Sequence, residues 1–201
     1  MELILIRHGE SEGNSKKLVY GYTDYPMTKK GMKQVPEIVE RLKRYQIDKI
    51  YTSPLVRAKV IAEAISQDRD ISITSEDRLK EINFGDYEDW PREKLIDLVG
   101  QERYGEIVGF FNHVALPGGE KQDEFLLRVK TFIDELLSGQ EGSYVLTCHF
   151  GTIKAILHHL MAYDQSRLNQ LTILPGAIIK VTIEENQVRM DELIQTYKSE
   201  E

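Results

Sequence analysis

The sequence predicts an α/β protein, a three-layer α/β/α sandwich with a mostly parallel central sheet. Short apolar runs at residues 3–6 and 144–148 have the length and continuity of strands that are buried on both faces. Amphipathic helical patterns separate these runs, so strands and helices alternate along the chain. Parallel strands need helical crossovers, and this order therefore favours a parallel sheet covered by helices on both faces.

The 201 residues suffice for one sizeable core. With 41% hydrophobic and 29% charged residues, the composition is that of a globular protein, and the net charge of −7 argues against nucleic acid or an anionic membrane as partner. One cysteine excludes an intrachain disulfide, and neither a signal peptide nor a membrane-spanning run is recognisable. We therefore expect a cytoplasmic protein, monomeric or homodimeric, with one domain over residues 1–201.

The first strand ends in an arginine and a histidine, Arg7 and His8, where Gly9 lets the backbone turn. Ligands bind at this carboxyl edge in open α/β sheets. A guanidinium is a rigid fork for phosphate or carboxylate, an imidazole can act as nucleophile or general base, and Asn14 adds amide donors. The segment therefore predicts an anion site with a reactive histidine.

Two later strand ends repeat this arrangement. Ser53 and Pro54 end the second predicted strand and are expected to start a helix, with Ser53 as N-cap and Arg57 in the first turn. His149 follows the strand at residues 144–148 and precedes another helix, which we expect to begin at Ile153. Strand ends of a parallel sheet can meet at one edge, so these side chains can converge on one anionic group, a phosphate or a carboxylate.

Together these segments resemble the signature of the histidine phosphatase superfamily, whose branches include the cofactor-dependent phosphoglycerate mutases. The resemblance implies that His8 is phosphorylated during turnover and that Arg57 is a second phosphate clamp beside Arg7. It rests on four spaced elements: Arg7-His8-Gly9-Glu10-Ser11 with Asn14, Ser53-Pro54-Leu55-Val56-Arg57-Ala58, the stretch from Leu79 to Glu88, and His149 with the residues after it.

The resemblance also implies roles for residues that the pattern alone would leave as ordinary surface groups. Glu81 matches the first acid of the third element and is the candidate general acid for the leaving alkoxide. His149 matches the second catalytic histidine, which also binds phosphate. Relatives carry a small residue, or in one branch an aspartate, where this chain has Phe150, which is expected to narrow the pocket. Additional substrate contacts are expected from Ser11, Tyr20, Gly21 and Phe150, and a helical cap is expected as an insertion at about residues 86–122.

Three functions remain open at this point. A phosphatase would discharge the phosphohistidine to water and a phosphoglycerate mutase to a second substrate hydroxyl, while a non-catalytic module would only bind a phospho-ligand. The mutases of the family that the chain resembles typically have extra residues between the acid and the second histidine. The resemblance therefore favours a phosphatase of small phosphorylated metabolites, because the stretch from Glu81 to His149 is compact. This chemistry needs no metal or other cofactor, and no metal-ligand pattern is recognisable.

A rival nucleophile is Cys148. Residues 148–154 nearly have the spacing of a cysteine-dependent phosphatase loop, but the position that requires arginine holds Lys154, a point charge rather than a fork. Cys148 also ends an apolar strand, where a cysteine is usually a small buried hydrophobe. We therefore favour His8.

Overall fold

A six-stranded sheet forms the centre of the computed structural model, which describes residues 1–109, 116–185 and 187–195. Its strands, with those of a separate two-stranded ribbon, are β1 (Glu2–Arg7), β2 (Leu18–Val19), β3 (Lys49–Thr52), β4 (Ile73–Ser75), β5 (Trp90–Pro91), β6 (Ser143–Cys148), β7 (Ile178–Glu184) and β8 (Gln187–Ile194). The α-helices are α1 (Glu12–Ser15), α2 (Lys29–Leu42), α3 (Val56–Arg69), α4 (Arg92–Val99), α5 (Gln101–Gly109), α6 (Gln122–Leu137), α7 (Phe150–Met161) and α8 (Gln165–Gln170), and 3₁₀ turns lie at Asp77–Leu79 and Gly85–Tyr87.

The strand order of the main sheet is β4-β3-β6-β1-β7-β8. Strands β4, β3, β6 and β1 run parallel to one another, whereas β7 runs antiparallel to β1 and pairs with β8 as a hairpin. Ribbon strands β2 and β5 pair separately. The predicted α/β fold with a mostly parallel sheet is confirmed. Asn186, which the sequence suggests for the hairpin turn, lies outside the described residues.

Strand β1 shows how the three layers hold together. Leu3 and Leu5 pack in one core with apolar residues of α6 and α7, while Ile4 and Ile6 pack in a second core with those of α2 and α3. All four side chains are fully buried, as expected for a continuous apolar strand between two helix layers. Each such burial contributes about 1.5–3 kcal/mol.

Strand register brings three strand ends together at one edge. The last residue of β1 pairs with the last residue of β6, and the last residue of β3 pairs with the preceding residue of β6. The next residues along each strand, His8, His149 and Ser53, therefore leave the sheet side by side. This is the edge at which the sequence predicts a phosphate site.

Helix α3 begins later than predicted. Its first residue is Val56 and its N-cap is Leu55, so Ser53 is not the cap. Instead, Asp24 Oδ1 accepts a hydrogen bond of 2.8 Å from the Val56 N–H. A carboxylate from a distant loop thus satisfies the helix N-terminus and is favoured there by the helix dipole, and Arg57 still falls in the first turn.

Helix α2 contains a proline in its interior. Thr28 is the predicted N-cap, and its hydroxyl oxygen accepts a bond of 3.0 Å from the Gly31 N–H. Pro36 does not displace the start of the helix, since α2 runs continuously from Lys29 to Leu42. The proline is exposed and cannot donate to the carbonyl of Met32, four residues earlier.

Helices α4 and α5 fall within the stretch for which the sequence predicts two short helices. They meet at Gly100, which has a φ of 83°, a left-handed conformation that few other residues adopt easily. Gly105 lies inside α5 without breaking it. Residues 110–115 of the expected cap region lie outside the described ranges. Within those ranges, the helices are all too short or too polar to cross a membrane.

Pro36→Ala should raise the free energy of unfolding by about 1–3 kcal/mol, because it removes a steric conflict and restores a helical donor, although the unfolded chain becomes less restricted. Urea denaturation at constant m-value measures this change. Glu37→Ala, also exposed on α2, is the matched control and should change stability by less than about 0.5 kcal/mol. A loss of stability in Pro36→Ala would show that α2 benefits from the proline.

Candidate active site

The strand ends open into a cavity of about 480 Å³. Its lining includes seven of the ten side chains that the sequence predicts for the site: Arg7, His8, Asn14, Tyr20, Arg57, Glu81 and Phe150. The remaining three, Ser11, Gly21 and His149, are not in the lining but contact residues that are. Residues far apart in sequence are therefore brought together as expected.

His8 is buried and held as a neutral imidazole. Its Nδ1 lies 2.7 Å from the carbonyl oxygen of Gly9, which can only accept, so Nδ1 carries the proton and Nε2 has a free lone pair. Burial, followed by the positive charges of Arg57 and Arg7, holds the pKa of His8 well below its usual 6.5. An uncharged nitrogen at the cavity is what a nucleophilic histidine requires.

His149 packs beside His8, with the two ring centroids 5.3 Å apart. It is the N-cap residue of α7, which begins three residues earlier than expected. Its Nε2 lies 2.8 Å from Ser53 Oγ, while its buried Nδ1 has no hydrogen-bond partner in the described ranges. Burial and the nearby Arg57 also hold the pKa of His149 well below 6.5.

Arg7 and Arg57 are anchored by carbonyl oxygens. Arg7 Nη1 donates to the Ile173 carbonyl at 2.5 Å, and Arg57 donates to those of Gly21 at 2.6 Å and Thr23 at 3.0 Å. The Nε atoms of both arginines are buried and have no partner among the described residues. Buried donors without partners are rare in folded proteins, so these two point to a missing acceptor.

The loop after β2 is held in place by Glu88. The Glu88 carboxylate accepts hydrogen bonds from the N–H groups of Gly21, Tyr22, Thr23 and Phe84 and from the Thr23 hydroxyl. Gly21 itself approaches the Ile82 carbonyl so closely that a Cβ atom would overlap it. Gly21 thus has a structural reason to be glycine, and its contribution is a carbonyl that positions Arg57 rather than a contact with the cavity.

Ser11 likewise supports the lining. Its hydroxyl bonds to Tyr20 Oη and to Asn14 Oδ1, the latter at 3.0 Å, and its N–H donates to Asn14 Oδ1 at 3.1 Å. The amide oxygen of Asn14 is therefore occupied, and its orientation leaves the NH₂ group as the donor available to a ligand. Arg57 also stacks on Tyr20, with Cζ 5.0 Å from the ring centroid.

Glu81 reaches the cavity from the loop that follows the first 3₁₀ turn. Its Oε2 accepts from the Gly151 N–H at the start of α7 at 2.8 Å, and its Oε1 accepts from the Ile82 N–H at 3.0 Å. Burial raises the pKa of Glu81, and this effect outweighs the two backbone donors and the two arginines, which lower it. The carboxyl group is therefore closer to protonation at neutral pH than an exposed glutamate.

Cys148 does not have the environment of a nucleophile. Its side chain is fully buried in the core beneath the sheet edge, and it is absent from the cavity lining. Burial raises the pKa of the Cys148 thiol far above its usual range, so the thiolate is suppressed. These observations disfavour the cysteine-based alternative.

The outer half of the cavity contains residues that sequence reasoning did not assign to the site. Lys154 lies one turn after Phe150 on α7, and an i to i+4 spacing on a helix would have indicated a shared face. The α5 and α8 residues carry no motif, and only the tertiary structure brings them here. This outer wall comprises Leu18, Val19, Phe84, Arg92, Gln101, Tyr104, Gly105, Val108, Gly109, Lys154 and Asn169.

The geometry agrees with the comparison to known families. A family model described as histidine phosphatase superfamily (branch 1) matches residues 3–196. The chain belongs to this superfamily. Its members include phosphatases and mutases, and this histidine phosphatase homologue is accordingly an enzyme that acts on phosphate esters.

Individual relatives of this histidine phosphatase homologue carry different names. A Salmonella choleraesuis protein named "Probable phosphoglycerate mutase GpmB" is 31% identical over 175 residues, covering 84% of this chain and 80% of the relative. The structure of a candidate α-ribazole-5′-P phosphatase from Escherichia coli K-12 aligns with a TM-score of 0.83 and 25% identity, covering 98% of this chain and 97% of that one. A phosphoglycerate mutase from Thermus thermophilus aligns with a TM-score of 0.75 and 29% identity, covering 97% and 99%.

The buried histidines should make the enzyme less stable in acid. In the folded state the pKa values of His8 and His149 are depressed, whereas in the unfolded chain they lie near 6.5. Below that pH the unfolded chain binds protons that the folded protein does not, so the free energy of unfolding should fall by up to about 1.4 kcal/mol per pH unit for each histidine.

Glu81 changes the free energy of unfolding in the opposite direction, because its raised pKa stabilises the folded state as the pH falls. The two histidines together are expected to outweigh this single carboxyl group. Urea denaturation between pH 7 and pH 5 measures the net slope, and the double variant His8→Asn/His149→Asn should flatten it. A wild-type stability that stays constant over this range would show that the histidines are not held neutral.

Proposed function

We propose that this enzyme is a phosphatase that hydrolyses small phosphomonoesters through a phosphohistidine formed at His8. The observation that carries the proposal is the hydrogen bond from His8 Nδ1 to the Gly9 carbonyl, which leaves a neutral Nε2 in a cavity that Arg7 and Arg57 also line. A nucleophile and a charge-stabilising clamp are the two requirements of phosphoryl transfer to a protein side chain.

In the first step Nε2 of His8 attacks phosphorus and the ester P–O bond breaks. Arg7 and Arg57 stabilise the negative charge on the equatorial phosphoryl oxygens, and the amide of Asn14 donates to the same group. The otherwise unpartnered Nε atoms of the two arginines acquire an acceptor in this way.

His149 completes the donor set. The Leu55 N–H donates to Ser53 Oγ at 3.4 Å, so the Ser53 hydroxyl hydrogen is free to be donated to His149 Nε2. This arrangement leaves the proton of the neutral imidazole on Nδ1, the atom without a partner in the described ranges. In our proposal Nδ1 donates to a phosphoryl oxygen.

Glu81 is the proposed general acid. The leaving alkoxide needs a proton, and Glu81 is a buried carboxyl with a raised pKa in the lining of the same cavity. After the alcohol leaves, the ionised Glu81 takes a proton from the water that attacks the phosphohistidine. Phosphate is then released and both groups return to their starting protonation states.

A mutase is the second candidate, because a relative at 31% identity carries the name of a phosphoglycerate mutase. Mutase and phosphatase share the first step and differ in what accepts the phosphoryl group. We place water first as the acceptor because mutases of this family typically carry extra residues between the acid and the second histidine, whereas the stretch from Glu81 to His149 is compact.

Wild-type enzyme should release inorganic phosphate from p-nitrophenyl phosphate, and ³²P-labelled substrate should leave acid-labile label on His8 after rapid quenching. The label should disappear in His8→Ala, whose fold is checked by circular dichroism.

Interconversion of 3- and 2-phosphoglycerate that requires 2,3-bisphosphoglycerate and is faster than phosphate release would instead identify a mutase. A protein that binds phosphate but releases none from a panel of phosphomonoesters would be a binding module, and label on Cys148 would overturn the mechanism.

Glu81→Gln should slow the hydrolysis of alkyl phosphates roughly 10²–10⁴-fold, which is the usual rate enhancement from general acid catalysis. It should slow p-nitrophenyl phosphate far less, since p-nitrophenolate leaves without protonation. Glu88→Gln is the matched control: Glu88 positions Arg57 through the loop after β2 and should affect both substrates alike. Equal losses on both substrates in Glu81→Gln would assign Glu81 to positioning instead of proton transfer.

A further inference from the structure

Lys154 is a buried cation in the cavity wall that the proposed hydrolysis does not use. Only 5% of the residue is exposed, yet it lines the cavity. Its Nζ lies 3.4 Å from Asn169 Oδ1 and 4.4 Å from the centroid of the Phe150 ring. An ammonium group has three hydrogens to donate, so at least two remain for another acceptor.

No carboxylate of the described residues forms an ion pair with Lys154. Burying an ammonium group without a direct ion-pair partner costs several kcal/mol, and burial lowers the pKa of Lys154 by more than the charge of Glu81 raises it. The interaction with Phe150 and the long hydrogen bond to Asn169 offset only part of this cost. An anion that enters the cavity would supply the missing counter-charge.

The ring of Phe150 contacts both Lys154 and the clamp residue Arg7, so the two cations lie close to each other. Arg7 Cζ lies 5.1 Å from the centroid of the same ring that Lys154 contacts. The distance between Arg7 Cζ and Lys154 Nζ therefore cannot exceed the sum of their distances to the ring centroid. A small molecule whose phosphoryl group is held by Arg7 and Arg57 can reach Lys154 with a second substituent a few bonds away.

The charge of the cavity lining supports the same assignment. Beyond the two clamp arginines, the lining contains the cations Arg92 and Lys154, while Glu81 is its one carboxylate in the described ranges. Because Asn169 Oδ1 faces Lys154, its NH₂ group is available to donate beside the ammonium. A lysine and an amide donor together match an anionic oxygen pair better than a neutral hydroxyl or an apolar group.

We propose that Lys154 and Asn169 form a second anion subsite, and that the preferred substrates are phosphomonoesters carrying another anionic group, a carboxylate or a second phosphoryl group. This inference rests on the proposed function for the identity of the first group, the phosphoryl held by the clamp. In the same assignment Phe150 is the apolar spacer between the two anion sites, rather than only a constriction of the pocket.

The test compares matched substrate pairs that differ in the second anion alone. For a carboxylate the pair is 3-phosphoglycerate and glycerol 3-phosphate; for a phosphoryl group it is 1,3-propanediol bisphosphate and its monophosphate. The selectivity is the kcat/KM of the anionic member divided by that of its partner. Wild-type enzyme should prefer the anionic member of at least one pair, and the pair that responds identifies the second anion.

Lys154→Met should lower this selectivity roughly 10- to 100-fold, the range expected for losing a hydrogen bond to a charged group, mainly through KM. Lys154→Arg should retain most of the selectivity that Lys154→Met loses, because arginine carries the same positive charge as lysine. Lys59→Met, an exposed lysine on α3, is the control and should leave it unchanged. Thermal melts establish that each variant is folded.

Two results would overturn the subsite. One is a wild-type enzyme that prefers neither anionic member; the other is an equal slowing of both members of each pair in Lys154→Met, which would make Lys154 a packing support for Phe150. Dissociation constants of the same pairs, measured by calorimetry on His8→Ala with and without Lys154→Met, test the subsite without turnover. If wild-type enzyme hydrolyses none of these substrates but Lys154→Met selectively weakens binding of the anionic members, the subsite is upheld and the proposed phosphatase activity is rejected.

Discussion

The guanidiniums of Arg7 and Arg57 stand beside two buried imidazoles, and both are anchored by hydrogen bonds to backbone carbonyls. A carboxylate in direct contact would neutralise the field that attracts a phosphoryl group and would raise the pKa of His8. Carbonyl oxygens orient the guanidiniums while leaving their charge available. The rest of the site is built to meet this constraint, with carbonyls drawn from Gly21, Thr23 and Ile173.

The acidic side chains near the site are bound mainly by backbone N–H groups. Glu88 accepts from the N–H groups of the loop after β2, and Asp24 caps helix α3 at Val56 while forming a longer ion pair of 3.8 Å with Arg57. Among the acidic residues that the structure describes, Glu81 alone enters the lining, and burial favours its neutral form. An acidic chain thus maintains a cationic cavity because its nearby carboxylates are engaged by backbone donors.

The cavity has two parts with different origins. The inner part comes from the ends of β1, β3 and β6, whose register is set by the sheet and brings the clamp and both histidines together. The outer wall comes from β2, α4, α5, α7 and α8 and residue Phe84, which carry no common motif. Relatives named as phosphatases and as mutases share this fold, so differences in substrate are expected to lie in the outer wall, where Lys154 stands beside Phe150.

The α/β class, the buried strands and the inner site could be predicted from the sequence by itself. Continuous apolar runs define buried strands, and the chemistry of Arg7, His8, Arg57 and His149 is recognisable at their ends, because both signals are local in the chain. Other features depended on tertiary structure. Asp24 rather than Ser53 satisfies helix α3, because a cap can come from any carboxylate that the fold brings near. The place of Lys154 in the cavity depended on how α7 packs against the sheet, since a lysine in a sequence is exposed by default and only its surroundings reveal a buried, unpaired charge.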